Sequence, residues 1–236
     1  MSEPAAHPEH HRNVQGGAVR AAVFGVSDGL VSNMGLILGV AGADPVPAAV
    51  RLSGVAGLVA GAISMAAGEY NSMRVQADLL HRELEIEDRE LRARPGFETT
   101  ELAALYRARG LPEEGARELA EAVMQDPEVA LEAHAREELG IDPHELGRPL
   151  SAAVSSLVTF AGGALIPLAP WFFGGGTAAI VASVVLGVVA AAVVGAVIGR
   201  STNRGIPFGV ARQVVFTLVP AAITFLIGSA LGVNLS

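Results

Sequence analysis

The stretch VFGVSDGLVSNMGLILGVAGA, from Val23 to Ala43, is apolar enough to cross a lipid bilayer, yet it carries an aspartate, Asp28, well inside it. A charge at membrane depth costs several kcal/mol, so such a residue faces a partner, a water-filled cavity or an ion path. Four further apolar blocks follow. Together they predict an all-helical, polytopic membrane protein with five transmembrane helices at roughly 20–43, 47–71, 150–173, 176–199 and 209–233, each near the ~20 residues a bilayer requires. The 236 residues are 51% hydrophobic with a mean hydropathy of +0.45, and the apolar residues pool in blocks instead of scattering as in a soluble domain. No strand pattern and no internal repeat is present. Cysteine is absent, which excludes a disulfide framework and thiolate metal sites.

Arginine placement sets the expected orientation. All sixteen basic residues are arginines: Arg12 and Arg20 precede the first span, ten lie between the second and third, and Arg200, Arg204 and Arg212 flank the last loop. The other side has only Arg51. The positive-inside rule then puts the N-terminus and both arginine-bearing loops in the cytoplasm and the C-terminus outside, in the inner membrane if the source is bacterial. Residues 1–17 are expected to form a disordered tail, with His7, His10 and His11 as linker residues and no signal-peptide order. The net charge of −8 accompanies an expectation of lipid, but not nucleic acid, as a partner.

From Ser72 to Arg148 the composition changes. This segment holds nineteen of the 24 acidic residues against ten arginines, and its pattern is helical. VQADLLHRELEIEDRELRAR continues the second span without a breaker, so one long helix is expected up to the RPG turn at Arg94–Gly96. ETTELAALYRAR and PEEGARELAEAVMQ predict two more helices. A fourth is predicted after Asp126 as cap, with Pro127 in its first turn and Gly140 past its end.

Carboxylates dominate this insert. Glu83, Glu87 and Glu90 fall at i, i+4, i+7 on one helix face. Glu98 and Glu101 repeat the i, i+3 spacing just past the turn, so a second helix folding back can present them to the first set. Glu137 and Glu138 close the fourth helix, with His134 one turn before. Carboxylates converging from three helices with one imidazole suit oxygen-preferring divalent cations such as Mn2+ or Fe2+, whereas without a cation they repel. The blander reading is a solvated face, because Glu85–Arg89, Asp88–Arg92 and Glu90–Arg94 are i, i+4 pairs of the kind that solubilise a helix.

GVSDGLVSNMGLILGVAGA, GLVAGAISMAAGEYNS, the E-x-x-E-L helices and the EELGID ending, in that order, resemble the vacuolar iron transporter family over about Val19 to Val233. The resemblance implies a homodimer whose ion path is lined by the first two helices. It also implies a cytoplasmic helical metal-binding domain between the second and third spans, and export of Fe2+ or Mn2+ from the cytosol against protons. On this pattern the membrane carboxylate falls on Asp28, the second-span methionine on Met65 and the G-E-[YF] glutamate on Glu69. The metal-domain glutamates fall on Glu87, Glu90, Glu98, Glu101 and Glu138. Plant members carry methionines where this chain has His134 and Ala135, a change of ligand softness that bears on metal preference.

Physics adds to the resemblance. Asp28 stands among Gly25, Gly29, Gly35 and Gly39, which allow close helix approach of the kind expected at a subunit interface. Met65 and Glu69 are one turn apart, so thioether and carboxylate face the same way. The expectation is a non-enzymatic exporter of Fe2+ or Mn2+ without a resident cofactor, and no nucleotide-binding Gly-Lys-Ser/Thr loop is present. A metal-dependent membrane enzyme and a metal-sensing membrane scaffold are the alternatives.

Overall fold

The computed structural model describes residues 17–140, 142–143 and 147–232. The tail with His7, His10 and His11 lies outside the described residues, as does Ser236. Among the described residues the fold is all-helical: α1 (Gly17–Gly42), α2 (Pro47–Ala93), α3 (Pro95–Ala108), α4 (Glu113–Val123), α5 (Pro127–Glu137), α6 (Pro149–Leu168), a 3-10 turn (Ala169–Phe172), α7 (Gly176–Ser201) and α8 (Ile206–Gly232). Five of these are long and apolar enough to cross a membrane: α1, α2, α6 with its 3-10 extension, α7 and α8. They match the five predicted spans to within three residues at most ends. As expected, α2 runs on unbroken past the second span, to Ala93. The turn after it is tighter than the sequence implied. Arg94 alone separates α2 from α3, because Pro95 at the first helical position has no N–H to leave unpaired.

By internal contacts the chain forms two compact units, residues 1–71 with 148–236, and Ser72–Gly147. In the first, α1 packs against α6 and α8, and α7 lies along α8. Periodicity explains α7. Ser183, Gly187, Ala191, Gly195 and Gly199 recur every fourth residue on its buried face, while Val181, Val185, Val189, Val193 and Val197 form the exposed one. Small residues inside allow backbone contact and valines outside suit lipid. A Cβ on Gly209 of α8 would come within 2.9 Å of the Gly199 backbone, so the crossing depends on glycine on both sides.

The glycines around Asp28 have a different role from the expected one. A side chain on Gly25 would meet the Ser156 carbonyl at 2.8 Å, and one on Gly29 would strike the Phe160 backbone, both on α6. Gly39 faces Thr224 of α8 at 3.2 Å. Their close approach is therefore satisfied within one chain, against α6 and α8. At the far end of the spans Trp171 is buried beside Ile37, Val50 and Leu168. Its Nε1 donates to Ser183 Oγ at 3.0 Å, and that hydroxyl donates to the Pro167 carbonyl at 2.7 Å.

The second unit comprises the end of α2 with α3, α4 and α5. Its caps follow the sequence: the Asp126 carboxylate accepts from the Glu128 N–H at 2.9 Å, and Gly140 takes a positive φ of 65° after α5. Its apolar interior is slight, with Met73, Ala77, Leu91, Leu102, Ala116, Ala120, Ala130 and Ala135 buried. Glu87, Glu98 and His134 are buried as well. So small a core with three ionisable groups inside is chemistry to be explained.

Candidate functional site

In the unit Ser72–Gly147, α2 contributes Glu87, α3 Glu98 and the end of α5 His134 and Glu138. His134 Nδ1 lies 3.0 Å from Glu87 Oε1 and 3.6 Å from Glu138 Oε2. One ligand atom from each of the three falls within 4.8 Å of the others. His134 is fully buried and Glu87 is 4% exposed, yet neither imidazole nitrogen nor Glu87 Oε1 has a properly aligned hydrogen bond. Buried polar atoms are nearly always bonded, and an imidazole with two carboxylates in this arrangement can offer nitrogen and oxygen ligand atoms to a divalent cation. Burial, and then the charges of Glu138, Glu98, Glu90 and Glu101, push the Glu87 carboxyl up to about 7. Burial raises Glu98 too, reinforced by Glu101 and opposed by His134 and Arg94.

The six residues expected here are thus not equivalent. Glu87, His134 and Glu138 converge, and Glu98 is buried and coupled to them electrostatically. Glu101 is half-buried and acts through its charge. Glu90 is held at 3.0 Å by Arg94, the i, i+4 pair of the solvated-face reading. Glu83, on the same helix face by spacing, is exposed. The structure also separates two neighbours that the sequence left together. Both Glu137 oxygens are gripped by Arg109, one at 3.0 Å, whereas Glu138 turns towards His134. His134 and Ala135 are both fully buried, so the two positions where plant members carry methionine look inward.

In the membrane-spanning unit, Asp28 and Met65 come together. They line a cleft of ≈ 240 Å³ between α1 and α2, with Ser32, Asn33, Ser64 and Phe160. Asp28 has no ion-pair partner among the described residues. Gly57 and Gly61 of α2 keep the cleft open: a side chain on Gly61 would collide with the Phe160 ring, and one on Gly57 would come within 2.9 Å of Asn33 Oδ1. Ser32 Oγ donates to the Asp28 backbone carbonyl at 2.6 Å, which leaves the Asp28 carboxylate to the cleft. One carboxylate and one thioether facing the same space can hold a divalent cation that is borderline between hard and soft.

Glu69 does not line this cleft. It forms an ion pair at 2.7 Å with Arg20 of α1, the arginine side chain 63% exposed and the glutamate 13%. Neither this pair nor the part of Asn33 in the cleft was anticipated from sequence. The i to i+49 separation of Arg20 and Glu69 carries no local signal, and Asn33 was noted only as a polar neighbour of Asp28.

The sequence model of the VIT family matches residues 19–229. Among curated proteins, vacuolar iron transporter 2 of Oryza sativa subsp. japonica is 35% identical over 71% of this chain and 68% of its own length. The vacuolar iron transporter of Acanthamoeba castellanii is 38% identical over 70% of this chain and 60% of its own. Vacuolar iron transporter 1 of Arabidopsis thaliana is 32% identical over 70% and 66%. The match thus spans roughly two thirds of the length of these relatives.

Proposed function

Because the chain belongs to the VIT family, we propose that it moves Fe2+ or Mn2+ across a membrane, out of the cytosol and in exchange for protons. The observation that carries this reading is the cleft in which Asp28 and Met65 meet, on two helices that are each long and apolar enough to cross a bilayer. A divalent ion must shed water there, and carboxylate oxygen with polarisable sulfur offsets that loss. In a homodimer Asp28 occurs twice. If the two face each other across the two-fold axis, their repulsion is relieved either by a proton or by a divalent cation, and one site then exchanges the two. The acidic unit, with Glu87, Glu98, His134 and Glu138 at its centre and Glu90 and Glu101 around them, collects the ion on the cytosolic side.

Arginine asymmetry supports the orientation this reading needs, with Ser72–Gly147 in the cytosol. With no native cysteine, single-cysteine variants report orientation cleanly. Gly174→Cys, between α6 and α7, should react with an impermeant thiol reagent on whole cells, and Thr100→Cys should not. The reverse pattern would overturn the orientation. Flux in proteoliposomes tests the function itself: Mn2+ or Fe2+ uptake driven by a pH gradient supports the exporter. Binding without flux supports a scaffold, and turnover of a substrate without flux supports an enzyme.

A further inference from the structure

Asn33 lies on α1 five residues after Asp28, and its side chain is only 2% exposed. Its Nδ2 donates to the Ala164 carbonyl of α6 at 2.7 Å. A carbonyl can only accept, so this bond settles which end of the amide faces α6. The other end, Oδ1, looks towards α2, where a Cβ placed on Gly57 would lie 2.9 Å from it. Asn33 and Gly57 both line the cleft shared by Asp28 and Met65, and Oδ1 has no hydrogen-bond partner. A buried acceptor without a donor is costly, and in lipid no bulk water compensates it. The position opposite narrows the choice further: a side chain on Gly57 would collide with Leu36 Cδ2 and crowd the oxygen, and glycine there leaves that space free.

We propose that Asn33 Oδ1 is a ligand of the transported cation and tilts its selectivity towards oxygen-preferring ions such as Mn2+ over thiophilic ions such as Cd2+. This rests on the reading of the cleft as the ion path. Met65 alone would favour the softer ion, and Asp28 alone supplies few of the oxygens that replace a hydration shell. A neutral amide oxygen adds a hard ligand without a second negative charge. The ion is then held well enough to enter and weakly enough to leave. The bond to Ala164 pre-orients the amide, so no rearrangement accompanies binding.

The test uses the full-length protein in proteoliposomes, with initial rates over a range of Mn2+ and of Cd2+ concentrations. Asn33→Leu should raise the Mn2+ KM by roughly tenfold, the scale of a lost oriented contact at a metal site, and change Cd2+ less. Asn33→Asp keeps an oxygen opposite Gly57 and should return the Mn2+ KM towards that of the natural protein. Gly57→Ala crowds Oδ1, and the flexible end of Leu36 beside it, while leaving the Asn33 amide its bond to Ala164, and should lower the Mn2+ to Cd2+ ratio even if Asn33→Leu does not fold. Equal losses for both ions in Asn33→Leu and Asn33→Asp would assign Asn33 to its bond with Ala164 and overturn the proposal. So would an unchanged ratio in Gly57→Ala. Asp28→Asn separates the two levels. If it transports normally the ion path itself is misplaced, whereas an inactive Asp28→Asn beside an unaltered Asn33→Leu removes only the role of Asn33.

Discussion

In Ser72–Gly147 three helices direct Glu87, Glu98 and His134 inward, with the exposed Glu138 beside His134, so that carboxylates outnumber the cationic groups near them. The cleft beside Asp28 has one carboxylate, one amide oxygen and one thioether. The first arrangement maximises attraction for a divalent ion and leaves its carboxylates strained without one. The second keeps attraction modest. A site that collects ions can hold them tightly, but one that passes them on must also release them. On the proposed transport reading, density of charge, more than identity of ligand, distinguishes the collecting site from the conducting one.

The comparison predicts its largest effect at Asp28. Asp28→Asn keeps size and hydrogen bonding but removes the only carboxylate among the described residues that line the cleft. Mn2+ or Fe2+ flux in proteoliposomes should fall to background, along with the accompanying proton movement, while elution on size exclusion stays unchanged. Normal flux would make Asp28 a packing residue and would end the contrast between the two regions. Loss of assembly together with flux would give it a structural role instead.

The acidic unit should respond differently, in affinity and in pH. Glu87→Gln or His134→Ala should weaken Mn2+ binding by about 10–100-fold, while Glu113→Ala, at an exposed position at the start of α4, should not. Equal effects would favour the solvated-face reading. The sign of the pH effect follows from the raised Glu87 carboxyl. Its folded value of about 7 lies above the ordinary 4.5, so its protonated form stabilises the metal-free protein below about 4.5, and that contribution is lost as pH rises through about 7. Mn2+ binding runs the other way, strengthening as Glu87 deprotonates over the same window. Glu87→Gln should flatten this pH dependence and stabilise the metal-free protein at pH 8 by roughly 2 kcal/mol. Thermal melts with and without Mn2+ at pH 5 and pH 8 check this. A Glu87→Gln protein that melts lower than the natural one at pH 8 without metal would show that the carboxylate is compensated by protein groups.

What the sequence made legible follows from the range of each signal. Span positions, the unbroken α2 and the Asp126 cap depend on neighbours within a turn or two, and the structure has them where periodicity put them. Asp28 was marked by the rarity of a charge inside an apolar run, and Met65 only by the resemblance of the SMAAGEY stretch to the family's second span; the two share one cleft. The division of the glutamates was not legible, because helix spacing gives a face and not its burial. Glu83 and Glu87 lie on the same predicted face, yet one is exposed and the other 4% exposed. Glu137 and Glu138 are neighbours in sequence, yet Arg109 reaches the first and His134 faces the second. The glycines flanking Asp28 show the same limit: their spacing announces close approach but does not say to which helix.

The smallest effect should come from Arg20. Its ion pair with Glu69 joins α1 to α2 at 2.7 Å, and the arginine is largely exposed, so the pair contributes about 0–1 kcal/mol. In the transport reading a guanidinium on Glu69 is a tethered cation that an arriving divalent ion must displace. Arg20→Gln frees the carboxylate and should lower the Mn2+ KM about two- to threefold, the scale of such a pair, with little change in maximal rate. Glu69→Gln removes the carboxylate and should raise the KM. Added salt, which screens exposed charges, should narrow the difference between Arg20→Gln and the natural protein. Opposite shifts from the two substitutions assign Glu69 to the ion's route outside the cleft. Shifts of the same sign would mean that the pair serves to fasten α1 to α2, leaving Asp28, Asn33 and Met65 as the ion's contacts in the membrane.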